Sequence, residues 1–276
     1  GAPVRDVPVL QLQRLGEVAP RPLLPSCIYL PGEHELPPEG TRLPWDPEPA
    51  DLVGEFARWQ GARVPGRLVV SAKSWLSHAG VDRAAAILPW GAPPDVRRIS
   101  PVEASARLLL HLRRSWDSAH PGERLADQEV TLTVPASFDE VARTLTVAAA
   151  RQAGLDRFRL VEEPQAAFYD FMARHRRDLA EALAGVRLVL VVDVGGGTTD
   201  LTLLQVHGAP EGPVLRRIAV GEHILLGGDN MDGALARRAE ARMVAGGRAL
   251  SAAQWSQLVQ AGRLAKEALL REGGPA

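Results

Sequence analysis

The sequence predicts an α/β fold built as two lobes, residues 1–180 and residues 181–276. Three observations carry that expectation. At 276 residues the chain exceeds one typical domain and can bury a large core. Strand-like and helix-like apolar patterns alternate, most clearly over residues 129–172. Residues 188–204 read as strand, glycine turn, strand. The opening run, Leu188-Val189-Leu190-Val191-Val192, has no polar break and predicts a strand buried on both faces. Asp193, Val194, Gly195, Gly196, Gly197, Thr198, Thr199 and Asp200 follow, and alternation then resumes through Leu201 and Leu203.

Taken in order, residues 1–49 are rich in proline, which rules out long helices. A strand is expected near 7–13, with Pro8 tolerated at its start, and another near 26–30. Leu52 to Gln60 reads as a short helix, and Leu68 to Leu76 as an apolar segment containing Lys73. Pro101 to Trp116 is an amphipathic helix, apolar at Val102, Ala106, Leu109, Leu110, Leu112 and Trp116. Ser100 is its N-cap and Pro101 its first residue. Glu129 to Val134 is a strand closed by Pro135. A helix runs from Asp139 through Gln152 and is stopped by Gly154. Phe158 to Glu162 is a strand, and Glu163-Pro164 opens a helix. Arg174 to Ala184 is charged and helical, ended by Gly185. Val214 to Val220 is a strand. From Asp232 onward the chain reads as helix, with a break at Gly246-Gly247 and an N-cap at Ser251.

Composition narrows the function classes. The chain is 46% apolar and 24% charged with a net charge of −1, so nothing calls for nucleic acid or an anionic membrane. No apolar run reaches membrane-spanning length, and the first ten residues lack a basic-then-apolar signal pattern. Cys27 is the one cysteine, so no internal disulfide can form and a cytoplasmic location is expected. The seven histidines show no metal-ligand spacing, and no nucleophile elbow is present. Of 32 basic residues only Lys73 and Lys266 are lysine. The chain does not begin with Met, which reads as a processed or truncated start.

The glycine stretch carries the chemistry. Without Cβ atoms, backbone N–H groups can approach an anion closely, and Thr198 and Thr199 add hydroxyls. Asp193 and Asp200 would repel a phosphate unless a hard cation lies between, which points to Mg²⁺. A bare hairpin needs neither three glycines nor a carboxylate on each side. The stretch is not a Walker loop, since no Gly-Lys-Ser/Thr follows, and not a dinucleotide fingerprint, since a strand rather than a helix comes next.

The pattern Asp193-Val194-Gly195-Gly196-Gly197-Thr198-Thr199-Asp200 resembles the second phosphate loop of the actin-like ATPases, closest to the DnaK-type seventy-kilodalton heat-shock chaperones. Residues 129–172 resemble that family at four features in order: Thr133-Val134-Pro135-Ala136-Ser137-Phe138, a helix bearing Arg143, Ala153-Gly154-Leu155, and Glu163-Pro164-Gln165-Ala166-Ala167. Leu226-Gly227-Gly228-Asp229 resembles a family segment that passes the nucleotide, with Met231 in place of an aromatic residue. Val53-Gly54-Glu55-Phe56-Ala57-Arg58 resembles a segment whose lysine is catalytic, with Arg58 at that lysine.

The resemblance implies an actin-like, ribonuclease H-like fold with ATP or ADP in a cleft between the lobes. Asp193 and Glu163 would hold Mg²⁺, mostly through water. Gly195, Gly196, Gly197, Thr198 and Thr199 would cradle phosphates. Arg58 would face the γ-phosphate, and Asp200 and Thr198 complete the catalytic set. Gly227, Gly228, Asp229 and Lys266 would line the nucleotide, and Arg143 would serve communication between domains. Read on their own residues, Glu163 is also a carboxylate favoured by a helix N-terminus, and Arg58 a solvated helix arginine. The implied function is the ATPase domain of a chaperone acting on unfolded client polypeptides, with co-chaperones as possible further partners. A pseudo-ATPase interaction module, or another actin-like protein such as a filament former or sugar kinase, stands beside it.

The departures are specific. The opening phosphate loop Gly-x-Asp-x-Gly-Thr-Thr does not occur, so the first lobe lacks that hairpin and the second its final part, and the sequence reads as an internal piece of a longer protein. Arg58 replaces a lysine. The last helix reads Arg263-Leu264-Ala265-Lys266-Glu267, with the charges around Lys266 reversed from the family's.

Overall fold

The computed structural model describes residues 4–78, 80–209, 212–221, 224, 226–243 and 250–271. In chain order these form β1 (Val9–Arg14), β2 (Glu17–Arg21), β3 (Cys27–Tyr29), α1 (Pro38–Thr41), β4 (Leu52–Val53), α2 (Glu55–Arg63), β5 (Leu68–Val70), α3 (Ala72–Trp75) and α4 (Pro101–Ala119). Then come β6 (Val130–Val134), α5 (Glu140–Gln152), β7 (Phe158–Glu162), α6 (Glu163–Arg174), α7 (Leu179–Ala182), β8 (Leu188–Val194), β9 (Thr199–Ala209), β10 (Gly212–Val220), α8 (Gly228–Met243) and α9 (Ala252–Leu270). The fold is mixed α/β. The expected break at Gly246-Gly247 lies outside the described residues.

The chain divides into two compact units. One comprises residues 1–128, 144–156 and 231–276, the other residues 129–143 and 157–230.

In the first unit β1 and β2 form an antiparallel hairpin, and β3 is the centre of an antiparallel sheet ordered β4-β3-β5. Its core packs Ile28, Leu30, Val69, Leu88 and Ile99 in one cluster and Leu12, Tyr29, Leu52 and Phe56 in another. The short helix expected over Leu52 to Gln60 is interrupted. Leu52–Val53 pairs with β3, Gly54 turns with φ of +89°, and α2 begins only at Glu55. Only glycine suits this turn, because a Cβ there would also press on Gln11 Oε1 and lie 2.7 Å from Leu24 Cδ1. Helix α4 starts as expected, with Ser100 Oγ accepting from the Glu103 N–H at 3.0 Å. It grips β1: the Leu10 N–H donates to Ser115 Oγ at 2.8 Å, and His111 Nε2 donates to the Leu10 carbonyl at 2.9 Å. Helix α9 opens with a capping box between Ser251 and Gln254.

In the second unit β6 and β7 are parallel, and α5, which follows β6 in the chain, begins there and runs on into residues of the first unit. A three-stranded antiparallel sheet ordered β10-β9-β8 carries the glycine turn between β8 and β9. Helix α6 lies against β6, β7 and β8. The segment after it is less helical than the charge pattern suggests: α6 ends at Arg174, and only Leu179–Ala182 is helical before Gly185 turns with φ of +73°.

β8 corrects one expectation. Leu188, Leu190, Val192 and Val194 are each more than half exposed, while Val189, Val191 and Asp193 on the opposite face are half-buried. The unbroken apolar run matched a parallel strand covered on both sides. Here β8 is the outer strand of an antiparallel sheet, which can leave one face open.

Candidate functional site

The glycine turn is built by the register of its two strands. Asp193 pairs directly with Asp200, and Val194 with Thr199. Side chains of directly opposed residues share a face, so the two carboxylates point the same way from adjacent strands. The Gly195 N–H donates to the Thr198 carbonyl at 2.8 Å and closes the turn. Ser137 Oγ donates to Asp200 Oδ1 at 3.0 Å. The half-buried Asp193 carboxylate takes neither a hydrogen bond nor an ion pair among the described residues.

The three expected glycines with measurable surroundings split into two kinds. Neither Gly195 nor Gly196 has a positive φ, and a Cβ on either would meet nothing nearer than 3.5 Å. The chain's own packing therefore does not demand glycine at those two positions. Gly227 is different: a Cβ there would lie 2.6 Å from the carbonyl oxygens of both Gly195 and Gly196. Its bareness lets the start of α8 dock on the turn. There the Gly228 N–H donates to Gly195 O at 3.0 Å and the Asp229 N–H to Gly196 O at 2.7 Å. Asn230 Oδ1 accepts from the Gly227 N–H at 2.8 Å. The first N–H groups of α8 are thus spent on the turn's carbonyls rather than presented outward. Asp229 also brings a carboxylate to within 3.5 Å of where a Gly196 Cβ would sit.

Thr199 is held from the same side. Its N–H donates to Ile224 O at 2.9 Å and its hydroxyl to Leu226 O at 2.7 Å. Among the described residues the N–H groups of Gly196, Gly197 and Thr198 make no backbone hydrogen bond. A row of N–H groups without backbone hydrogen bonds, whose nearest side chain is the Asp229 carboxylate 3.5 Å from the Gly196 Cβ position, leaves room for an oxyanion. No group of three or more His, Cys, Asp or Glu among the described residues could hold a metal unaided. The two opposed carboxylates fit a cation that keeps most of its water and shares phosphate oxygens, as Mg²⁺ does.

Glu163 is the first residue of α6, ahead of Pro164, at the end of β7 as expected. Arg58 belongs to the first unit. Its Nη2 lies 2.7 Å from Glu55 Oε2, and its buried Nε has no hydrogen-bond partner among the described residues. It lines a cavity with Gln13, Arg14, Glu55, Trp59, Gln260 and Leu264. Lys266, in the same unit, reaches Asp232 Oδ1 at 2.6 Å. Arg263 and Glu267, the reversed charges of the last helix, pair with each other at 2.8 Å across one turn of α9.

Sequence reasoning passed over two residues. Ser137 stands in the Val134-Pro135-Ala136-Ser137-Phe138 stretch, where only the hydroxyl hinted at a role. Glu162 accepts from Arg143 Nη2 at 2.9 Å and also pairs with Arg217. The doubled Glu162-Glu163 before Pro164 was its one signal.

A strand–glycine turn–strand flanked by opposed carboxylates, on a mixed α/β frame, defines a protein with a candidate phosphate-binding turn. A family model described as Hsp70 protein matches residues 91–267, and the chain belongs to the Hsp70 family. Membership implies the actin-like ATPase fold and ATP as the family's ligand. The chain is 36% identical over 228 residues to a chaperone protein HscA homolog of Bordetella pertussis, covering 79% of this chain and 34% of that protein. It is 34% identical over 199 residues to the heat shock 70 kDa protein BIP3 of Oryza sativa subsp. japonica, covering 66% and 28%. A further HscA homolog, from Azotobacter vinelandii, is 41% identical over 137 residues, covering 50% and 20%. The chain thus spans about a third or less of the length of these relatives.

Proposed function

We propose that this chain is part of the nucleotide-binding domain of a DnaK-like chaperone. ATP turnover there would be coupled to binding and release of unfolded polypeptide segments. The observation that carries the reading is the pair Gly195 and Gly196, bare where the fold does not require it, next to a half-buried Asp193 with no partner among the described residues. In this reading the N–H groups of Gly196, Gly197 and Thr198 receive phosphate oxygens, with Gly195, Thr199, Gly227, Gly228 and Asp229 shaping the turn. Asp193 and Glu163 would hold Mg²⁺, mostly through water, and Asp200, with Thr198 beside it, would orient the attacking water. Mg²⁺, when bound, would neutralise charge on the phosphates during transfer to water. The protein's share is positioning and a fixed field rather than covalent chemistry. Arg58 facing the γ-phosphate, Lys266 at the nucleoside, a cleft between lobes divided near residue 180, and a cytoplasmic setting belong to the same proposal. Client polypeptides would be held by a separate peptide-binding domain, with co-chaperones as further partners.

A second reading, a pseudo-ATPase interaction module, is favoured by one specific set of contacts. Arg58, Arg263 and Lys266 each hold a carboxylate of the protein itself, Glu55, Glu267 and Asp232. Calorimetric titration of ATP, with and without Mg²⁺, into this chain and into a longer chain carrying the opening phosphate loop separates the two. Mg²⁺-dependent binding by the longer chain supports the ATPase reading. Absence of binding in both leaves the interaction module.

A further inference from the structure

We infer that Ser137 is a positioning residue for Asp200, setting the orientation of one carboxylate of the pair that faces the glycine turn. The inference rests on the reading of that turn as a phosphate and cation site.

The donor is on a segment fixed at both ends. Val134, the last residue of β6, is 2% exposed and paired with Glu162, and Phe138 is 6% exposed. Asp139 Oδ1 accepts from the Ala142 N–H at 2.7 Å, capping α5. The Phe138 carbonyl accepts from Arg143 Nε at 3.3 Å, and the same guanidinium is anchored to Glu162. Ser137 therefore has little backbone freedom, and a short side chain with one rotatable bond adds little more. Its hydroxyl reaches Asp200 Oδ1 at 3.0 Å across 63 residues of sequence.

Asp200 stands directly opposite Asp193, and like charges in that relation repel. Two equivalent carboxylates would turn away from one another and present no defined oxygens. An O–H donor on one of them breaks the equivalence: it draws charge density on Asp200 and fixes the plane of its carboxylate. Asp193, with no bond of its own among the described residues, is left as the member that draws a cation. A hydrogen bond to a charged acceptor is stronger than one between neutral groups, so a single hydroxyl suffices to bias the pair.

The test uses the 276-residue chain and Mg²⁺ alone, followed by NMR shifts of the Thr199 and Asp200 amides. Ser137→Ala should weaken Mg²⁺ binding about three- to tenfold, the loss of one oriented hydrogen bond, with only a small fall in thermal stability. Ser137→Thr, which keeps the hydroxyl, should return to within about twofold of the parent. Asp193→Asn should abolish the shifts. If Asp193→Asn abolishes binding while Ser137→Ala binds like the parent, Ser137 has no positioning role and the turn reading stands. If the parent shows no saturable Mg²⁺ shift at the turn, the turn reading itself fails and takes this inference with it.

Discussion

Lys266 Nζ lies 2.6 Å from Oδ1 of Asp232, a carboxylate with only 2% of its surface exposed. The contact ties α9 to α8 within the first unit, and it uses one of the chain's two lysines. Lys266→Met should destabilise the protein by about 3–5 kcal/mol, because an uncompensated charge remains buried. Lys266→Met combined with Asp232→Leu should recover most of that loss. Urea denaturation followed by circular dichroism measures both. Equal destabilisation in the single and double variants would show that the ion pair is not the cause.

The glycines of the turn should separate in the same way as their surroundings do. Gly227→Ala forces a Cβ against two carbonyls at 2.6 Å and should lower stability by about 1–3 kcal/mol. Gly196→Ala meets only ordinary contacts and should change stability by less than about 0.5 kcal/mol. In a chain competent to bind nucleotide, Gly196→Ala should nonetheless weaken ATP binding about tenfold or more, because the methyl occupies the anion's approach. Parallel thermal melts and ATP titrations of the two variants decide it.

His111 gives the first unit a pH dependence. Burial holds its pKa below the ordinary value of 6.5, with the bond to the Leu10 carbonyl opposing and Arg114 assisting. The folded state therefore binds its proton less readily than the unfolded state. The stabilising contribution is present above pH 6.5 and is lost as pH falls through 6.5 toward the folded value. The slope is at most about 1.4 kcal/mol per pH unit. Asp51 acts with the opposite sign at lower pH: burial raises its pKa from 3.8, so its effect favours the folded state as pH falls through that range. Stability measured from pH 7.5 to 5.5 should decline, and His111→Gln should flatten the decline. An unchanged slope in the variant would assign it to another group.

What was legible in the sequence followed from local chemistry. Ser100 and Ser251 cap their helices, Glu163 starts α6, Pro135 closes β6, and the glycine turn joins β8 to β9, because each signal lies within a few residues of its effect. What was not legible depended on distant partners. The break at Gly54 is set by Gln11 and Leu24. The open face of β8 follows from its place in the sheet. Thr199's hydroxyl goes to Leu226 rather than outward, and Lys266's partner is a buried aspartate on another helix. Arg58 was a harder case. Its link to Glu55, three residues earlier on α2, was readable from spacing, but family likeness drew attention to the phosphate instead.

The chain alone should bind ATP weakly and hydrolyse it negligibly. Its 276 residues contain no Gly-x-Asp-x-Gly-Thr-Thr loop, so several backbone donors of a full phosphate cradle are missing. Each charge-assisted hydrogen bond is worth roughly 1.5–3 kcal/mol. Losing two or three lowers affinity by about two to six decades. Thr199's hydroxyl, already donating to Leu226, does not make up the difference. Micromolar binding of ATP–Mg²⁺ by this chain would contradict the expectation.

Asp193 offers the sharpest separation of folding from function. It is half-buried, directly opposed by Asp200, and has no bonding partner among the described residues. Asp193→Asn keeps the size and removes one of two facing charges. Stability should therefore hold or rise slightly, by about 0.2–1 kcal/mol, since like charges directly opposite are unfavourable. A charged residue that the fold tolerates rather than needs is expected to serve a ligand. In a longer protein with ATPase activity, the same substitution should lower hydrolysis on the order of a hundredfold or more, as for loss of one preorganised electrostatic group. Asp200→Asn should do less, because its oxygen can still accept from Ser137. Denaturation of the chain and steady-state hydrolysis by the longer protein, over a range of Mg²⁺ concentrations, give the two readouts. A parent rate with unchanged Mg²⁺ dependence in Asp193→Asn removes the metal role. A large loss of stability would instead make Asp193 a structural residue with a partner of its own.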